Sequence, residues 1–68
     1  MILLIEILTD RYWKHTLRKG DIKEVTASGK VYSEYKDRWI PYVDVHIELV
    51  WGNKTITLWE GEFKWIKQ

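Results

Sequence analysis

A chain of 68 residues has room for one folding unit, read as a single domain over 1–68, and with no Cys it is braced by neither disulfides nor Cys-rich zinc sites. Its two His residues, His15 and His46, stand far apart with no third ligand beside either, so no metal or other cofactor is expected. Formal charge is only +1, from 11 Lys plus Arg against 10 Asp plus Glu, which is far from the balance of a dedicated nucleic-acid binder.

Ile2 to Leu8 is apolar except for Glu6 and reads as a first strand which, being apolar on both faces, is either central or has its outer face covered. It lacks the flanks of an export signal and is far shorter than the ~20 residues of a membrane span. A cytoplasmic protein without membrane contact is expected. Thr9 to Lys19 is a long connection in which the 3.6-residue period allows one short turn around Arg11 to Leu17, and Gly20-Asp21 closes it. Four cations, Arg11, Lys14, Arg18 and Lys19, fall in this stretch with no acid between them, so the remainder of the chain is net acidic.

Asp21 to Ala27 reads as a second strand in which Ile22 and Val25 break strict alternation, a sign of a bulge. Ser28-Gly29 is a hairpin signal, Lys30 to Lys36 a third strand, and Asp37 to Pro41 a break, with Pro41 at a strand start or edge. Tyr42 to Trp51 is the clearest strand: Val43, Val45, Ile47 and Leu49 face inward, and Asp44, His46 and Glu48 fill the wet face. Gly52-Asn53 supplies the turn, Thr55 to Trp59 returns with Ile56 and Leu58 inward, Glu60-Gly61-Glu62 is a short break, and Phe63 to Ile66 ends the fold. With 46% hydrophobic residues, five Trp, four Tyr and one Phe, rings burying ~150–250 Å² each are expected to supply much of the packing.

Five or six short strands, a long first loop and a break before the last strand describe an all-β fold, a small bent barrel. Leu17-Arg18-Lys19-Gly20-Asp21-Ile22 resembles the "lysine, glycine, aspartate, aliphatic" entry into the second strand of Src-homology-3-like (SH3-like) barrels, and Trp59-Glu60-Gly61-Glu62-Phe63-Lys64-Trp65-Ile66 resembles their turn and closing strand. In size and style the chain is similar to the SH3-like proteins of bacteriophages and other mobile elements. That resemblance implies an accessory protein that binds, and inhibits or redirects, a host factor. The Tyr-rich first strand and the Pro-Tyr pair with which peptide-binding members hold proline-rich ligands are both missing here, so that ligand class is not implied.

Two basic-aromatic groups stand out. Arg11, Tyr12, Trp13, Lys14, Arg18 and Lys19 interleave cations with rings, and Lys30, Tyr32, Tyr35, Lys36, Arg38 and Trp39 repeat the mixture. Rings anchor protein interfaces, whereas cations with stacking rings suit single-stranded nucleic acid. Tyr12 and Trp13 have a competing use as lids over an open barrel end. Trp59 is expected to point outward, opposite Ile56 and Leu58. Asp44, His46 and Glu48 share a strand face, but side chains standing parallel on a strand diverge and do not converge on one ion. The reading is a non-enzymatic module that binds a protein partner through Arg11, Tyr12, Trp13, Lys14, Arg18, Lys19, Trp39 and Trp59. Nucleic acid is the alternative ligand, and a homodimer through an open strand edge is a third arrangement.

Overall fold

The computed structural model describes residues 2–66. Among the described residues five strands form, β1 (Leu4–Ile7), β2 (Ile22–Ser33), β3 (Arg38–Leu49), β4 (Gly52–Trp59) and β5 (Phe63–Trp65), with a single 3₁₀ turn at Trp13–His15. Every pairing is antiparallel and the order across the sheet is β4-β3-β2-β1-β5, which makes a small barrel-like all-β fold with a long first loop. Of the two arrangements its apolar faces allow, β1 takes the internal one, held between β2 and β5.

The core follows the period-two pattern. Val43 pairs with Leu58 and Val45 with Ile56, and all four are buried with Ile47, Ile5, Ile7 and Phe63. Each such side chain removed from water contributes roughly 1.5–3 kcal/mol. Leu17, from the long first loop, is fully buried among them. That loop bridges the two edge strands: Leu8 donates its N–H to the Glu62 carbonyl, and the Tyr12 hydroxyl donates to the Thr57 carbonyl of β4. The ring-rich core expected from composition does not form. Among the described residues the core is aliphatic apart from Phe63, because inward positions at strict alternation fall on Ile, Val and Leu.

Between Ser28 and Pro41 the fold departs from the sequence reading. Ser28-Gly29 is no hairpin; both residues lie inside β2, opposite Val43 and Tyr42. Gly29 is there for space and not for a turn, since a Cβ at this position would meet the Tyr42 ring. The chain reverses instead through Glu34–Asp37, where Asp37 takes the positive φ of 54° and Lys36 donates its N–H to the Ser33 hydroxyl. Arg38 to Pro41 is accordingly strand, and Pro41 stands opposite Lys30 beyond the end of β4, which stops at Trp59 opposite Tyr42. A residue without an N–H suits that uncovered edge. The expected bulge is present between Val25 and Ala27. It lets β2 leave β1, whose register ends at Leu4 opposite Glu24, and continue with β3 alone.

The consequence is an arm. Residues 28–41 form a two-stranded ribbon running past the barrel, and the longest molecular dimension, 39 Å, matches the ~40 Å length of a twelve-residue strand. The last hairpin also turns earlier than Gly52-Asn53. Leu49 pairs with Gly52, so Val50 and Trp51 form the turn and Gly52 supplies φ 143° just behind it.

Candidate functional site

The β4–β5 turn, Glu60–Glu62, grips both basic-aromatic groups. Glu62 accepts the Trp59 N–H at 2.9 Å and Arg11 Nη1 at 3.2 Å, and its Oε1 lies 3.5 Å from the Tyr12 hydroxyl. Glu60, two residues earlier in the same turn, takes both guanidinium nitrogens of Arg38. This bidentate pair holds the Glu60 carboxyl below, and the Arg38 guanidinium above, its ordinary range. Burial, reinforced by the Glu62 charge and opposed by Arg11, pushes the Tyr12 phenol up. The first loop and the arm are thus anchored to the same turn. No hydrogen bond or ring contact joins the two groups directly among the described residues.

Within the first loop the candidates divide. Tyr12 is half-buried against the core and serves as the lid; its hydroxyl is committed to Thr57. Arg11 sits 5.5 Å from the Tyr12 ring centroid and pairs with Glu62. Trp13, half-exposed on the 3₁₀ turn, carries the Lys14 ammonium 5.6 Å from its ring centroid. Arg18 and Lys19 are exposed immediately after the buried Leu17, and their backbone N–H groups are held by the Asp21 and Asp10 carboxylates.

Alternation along β3 decides the arm. Trp39 lies on the side of Val43 and Val45, while Tyr42, three residues on, lies on the opposite side with its partner Trp59. Trp39 and Trp59 therefore belong to two surfaces. On the core side, beyond the core, Tyr32 and Trp39 stack edge to face with centroids 5.5 Å apart, and the Tyr32 hydroxyl is engaged by Asp37, which raises its pKa. On the outer side Tyr42 and Trp59 meet at 5.6 Å, flanked by Val31 and Ile40. Further along this outer face Asp44 accepts the Thr57 hydroxyl at 2.7 Å, while His46 and Glu48 point to water.

All five indoles are exposed, from 40% at Trp59 to 80% at Trp51. Trp51 and Trp65 escaped the sequence reading because their exposure depends on a turn position and a short edge strand. Tyr35, at the arm's tip, is almost fully exposed. Among the described residues there is no enclosed pocket, no group of three metal-ligating side chains, and no helix long and apolar enough to cross a membrane. No protein-family model, curated protein or solved structure matches this chain.

Proposed function

We propose that this protein is a non-enzymatic binding module for another protein, with the β2–β3 arm and the Trp59 face as its contact surfaces. One observation carries the reading: the core is complete without a single indole, and every Trp stands where a partner can reach it. A large ring left in water forfeits burial of ~150–250 Å². Rings also dominate interface energetics, so an excess of exposed ones on a small β-domain is best accounted for by a partner. Tyr32 and Trp39 act as pre-stacked anchors that lose little side-chain freedom on binding, and Tyr42 with Trp59 form a second pair. Five antiparallel strands with a long first loop support an SH3-like barrel, and the likeness in size and style to bacteriophage proteins adds the kind of partner. On that likeness, the module acts by occupying a host protein's surface.

The test is affinity capture from bacterial lysate with wild type, Trp39→Ala and Trp59→Ala, folding being checked by circular dichroism. Loss of a specific partner with either variant is expected. Equal recovery by all three overturns the assignment of these rings.

A second reading has its own observation. Lys14 lies over Trp13, and Lys14, Arg18 and Lys19 make no ion pair among the described residues, so the loop can offer charge and stacking to a single-stranded nucleic acid. Counterion release then requires oligonucleotide affinity to fall by roughly 10³–10⁵ between about 50 and 200 mM salt if six or more phosphates are neutralised. Absence of binding at low salt removes this reading.

A further inference from the structure

The near-zero net charge conceals an asymmetry in how charges are used. Glu6 pairs with Lys64, Asp10 and Asp21 bind loop N–H groups, Asp37 binds Tyr32, Asp44 binds Thr57, Glu60 binds Arg38, and Glu62 binds Arg11 and Trp59. Among the described residues only Glu24, Glu34 and Glu48 are left without an internal partner. In contrast Lys14, Arg18, Lys19, Lys23, Lys30, Lys36 and Lys54 make no ion pair among the described residues, although the Lys36 charge helps to lower the Glu60 carboxyl. The acids hold the fold together while most cations are left over for an outside partner.

Two of those cations, Lys30 and Lys36, sit on the arm beside a free strand edge. β1 stops pairing with β2 at Glu24 and Val25, and no described residue pairs with Ser28–Ser33 on that side. Six residues of strand, ~20 Å of alternating N–H and C=O groups, lie open. The opposite edge of the arm is blunted by Pro41, which cannot donate, and by the Arg38–Glu60 pair. We infer that the β2 edge at Ser28–Ser33 binds an extended acidic segment of a partner protein by strand addition. This rests on the protein-binding reading and specifies the ligand within it.

The register dictates what the added strand must carry. In the antiparallel sense, positions facing Tyr32 and Val31 are apolar, the first shared with the Trp39 ring and the second with Ile40, and the next position, facing Lys30, is acidic. Beyond it, Gly29 presents the edge of Tyr42 and tolerates only a small residue. A second copy of this chain is a poorer occupant, since a two-fold axis at Lys30 sets like charges against each other and the surplus of unpaired cations is common to both copies. A nucleic-acid strand has no alternating amide edge with which to complete the ladder.

The experiment uses the whole protein and a fluorescein-labelled peptide reading threonine, tyrosine, valine, glutamate, serine, glutamate. Anisotropy should report saturable binding. Lys30→Glu should weaken it by roughly tenfold or more, since it places like charges together. Methylating alternate peptide nitrogens that face β2 should abolish it, and hydrogen exchange should show new protection at Ser28–Ser33. Binding without that protection, or insensitive to methylation, overturns strand addition while leaving the protein-binding reading intact. No binding overturns the acidic-segment assignment. Edge protection that rises with protein concentration alone, with a doubling of mass in sedimentation, overturns it in favour of a second copy, and equal competition by an oligonucleotide overturns it in favour of nucleic acid.

Discussion

The Tyr42 ring lies directly on Gly29: a Cβ built at that glycine would fall 2.8 Å from Tyr42 Oη and 3.0 Å from Cε1. Tyr42 is held from its other side by Trp59, so it has little room to yield. Gly29→Ala is therefore expected to destabilise the fold by about 1–3 kcal/mol through overpacking. Combined with Tyr42→Ala, the substitution at 29 should cost little further, and this non-additivity is read from chemical denaturation of the two single variants and the double variant. Additive losses would show that the ring does not need the space.

Glu62 joins the first loop to the closing turn, so removing it should cost more than removing any one of its partners. Tyr12→Phe deletes a single hydroxyl and is expected to cost about 0.5–1.5 kcal/mol. Glu62→Ala leaves Arg11 and the Trp59 N–H without that acceptor, and its midpoint in denaturant should fall clearly below that of Tyr12→Phe. Equal midpoints would mean that the Arg11 and Trp59 contacts of the Glu62 carboxylate add nothing to the hold on the loop.

The same tyrosine predicts an alkaline effect. Burial raises the folded-state pKa of Tyr12 above its ordinary 10.0, with the Glu62 charge adding to it, so the fold favours the neutral phenol. Its contribution is complete below pH 10.0 and is lost as pH rises through the folded-state value. Thermal melts of wild type and Tyr12→Phe should converge as pH rises above that point. A constant difference between them would remove the linkage.

Tryptophan fluorescence should report almost nothing about folding. Because all five indoles are exposed, acrylamide should quench the native protein nearly as well as the unfolded chain, whereas far-ultraviolet circular dichroism shows a cooperative transition. Strong protection of the native indoles would contradict the aliphatic core.

Leu17 and Trp13 are four residues apart in the same loop and have opposite expected weights. Leu17 is fully buried and Trp13 is 53% exposed. Leu17→Ala should cost about 2–5 kcal/mol, and Trp13→Ala should stay within about 0.5 kcal/mol, both measured by denaturant unfolding.

What was legible in the sequence was whatever alternation alone controls. Val43, Val45 and Ile47 opposite Ile56 and Leu58 could be placed inside because side chains on a strand change face at every residue, and the out-of-step Ile22 and Val25 disclosed the bulge for the same reason. The outward Trp59 followed as well, and the internal place of β1 was one of the two arrangements its apolar faces allowed. Turn position was less legible. Ser28-Gly29 and Gly52-Asn53 both carry turn chemistry, yet one glycine makes room for a ring and the other only follows a turn made by Val50 and Trp51.

Tertiary structure decided the use of the large and charged side chains. Leu17 looked like part of a polar loop, and it is core because the loop must cross the gap between β4 and β5. Tyr12 became a lid for the same reason, while Trp39 and Trp59, neighbours in any list of exposed rings, were sent to opposite faces by the alternation of β3 and its pairing with β4. Composition counts rings and charges but does not pair them. Which carboxylates are consumed inside the fold, and which cations are left over, is settled by distances that exist only after the strands have come together.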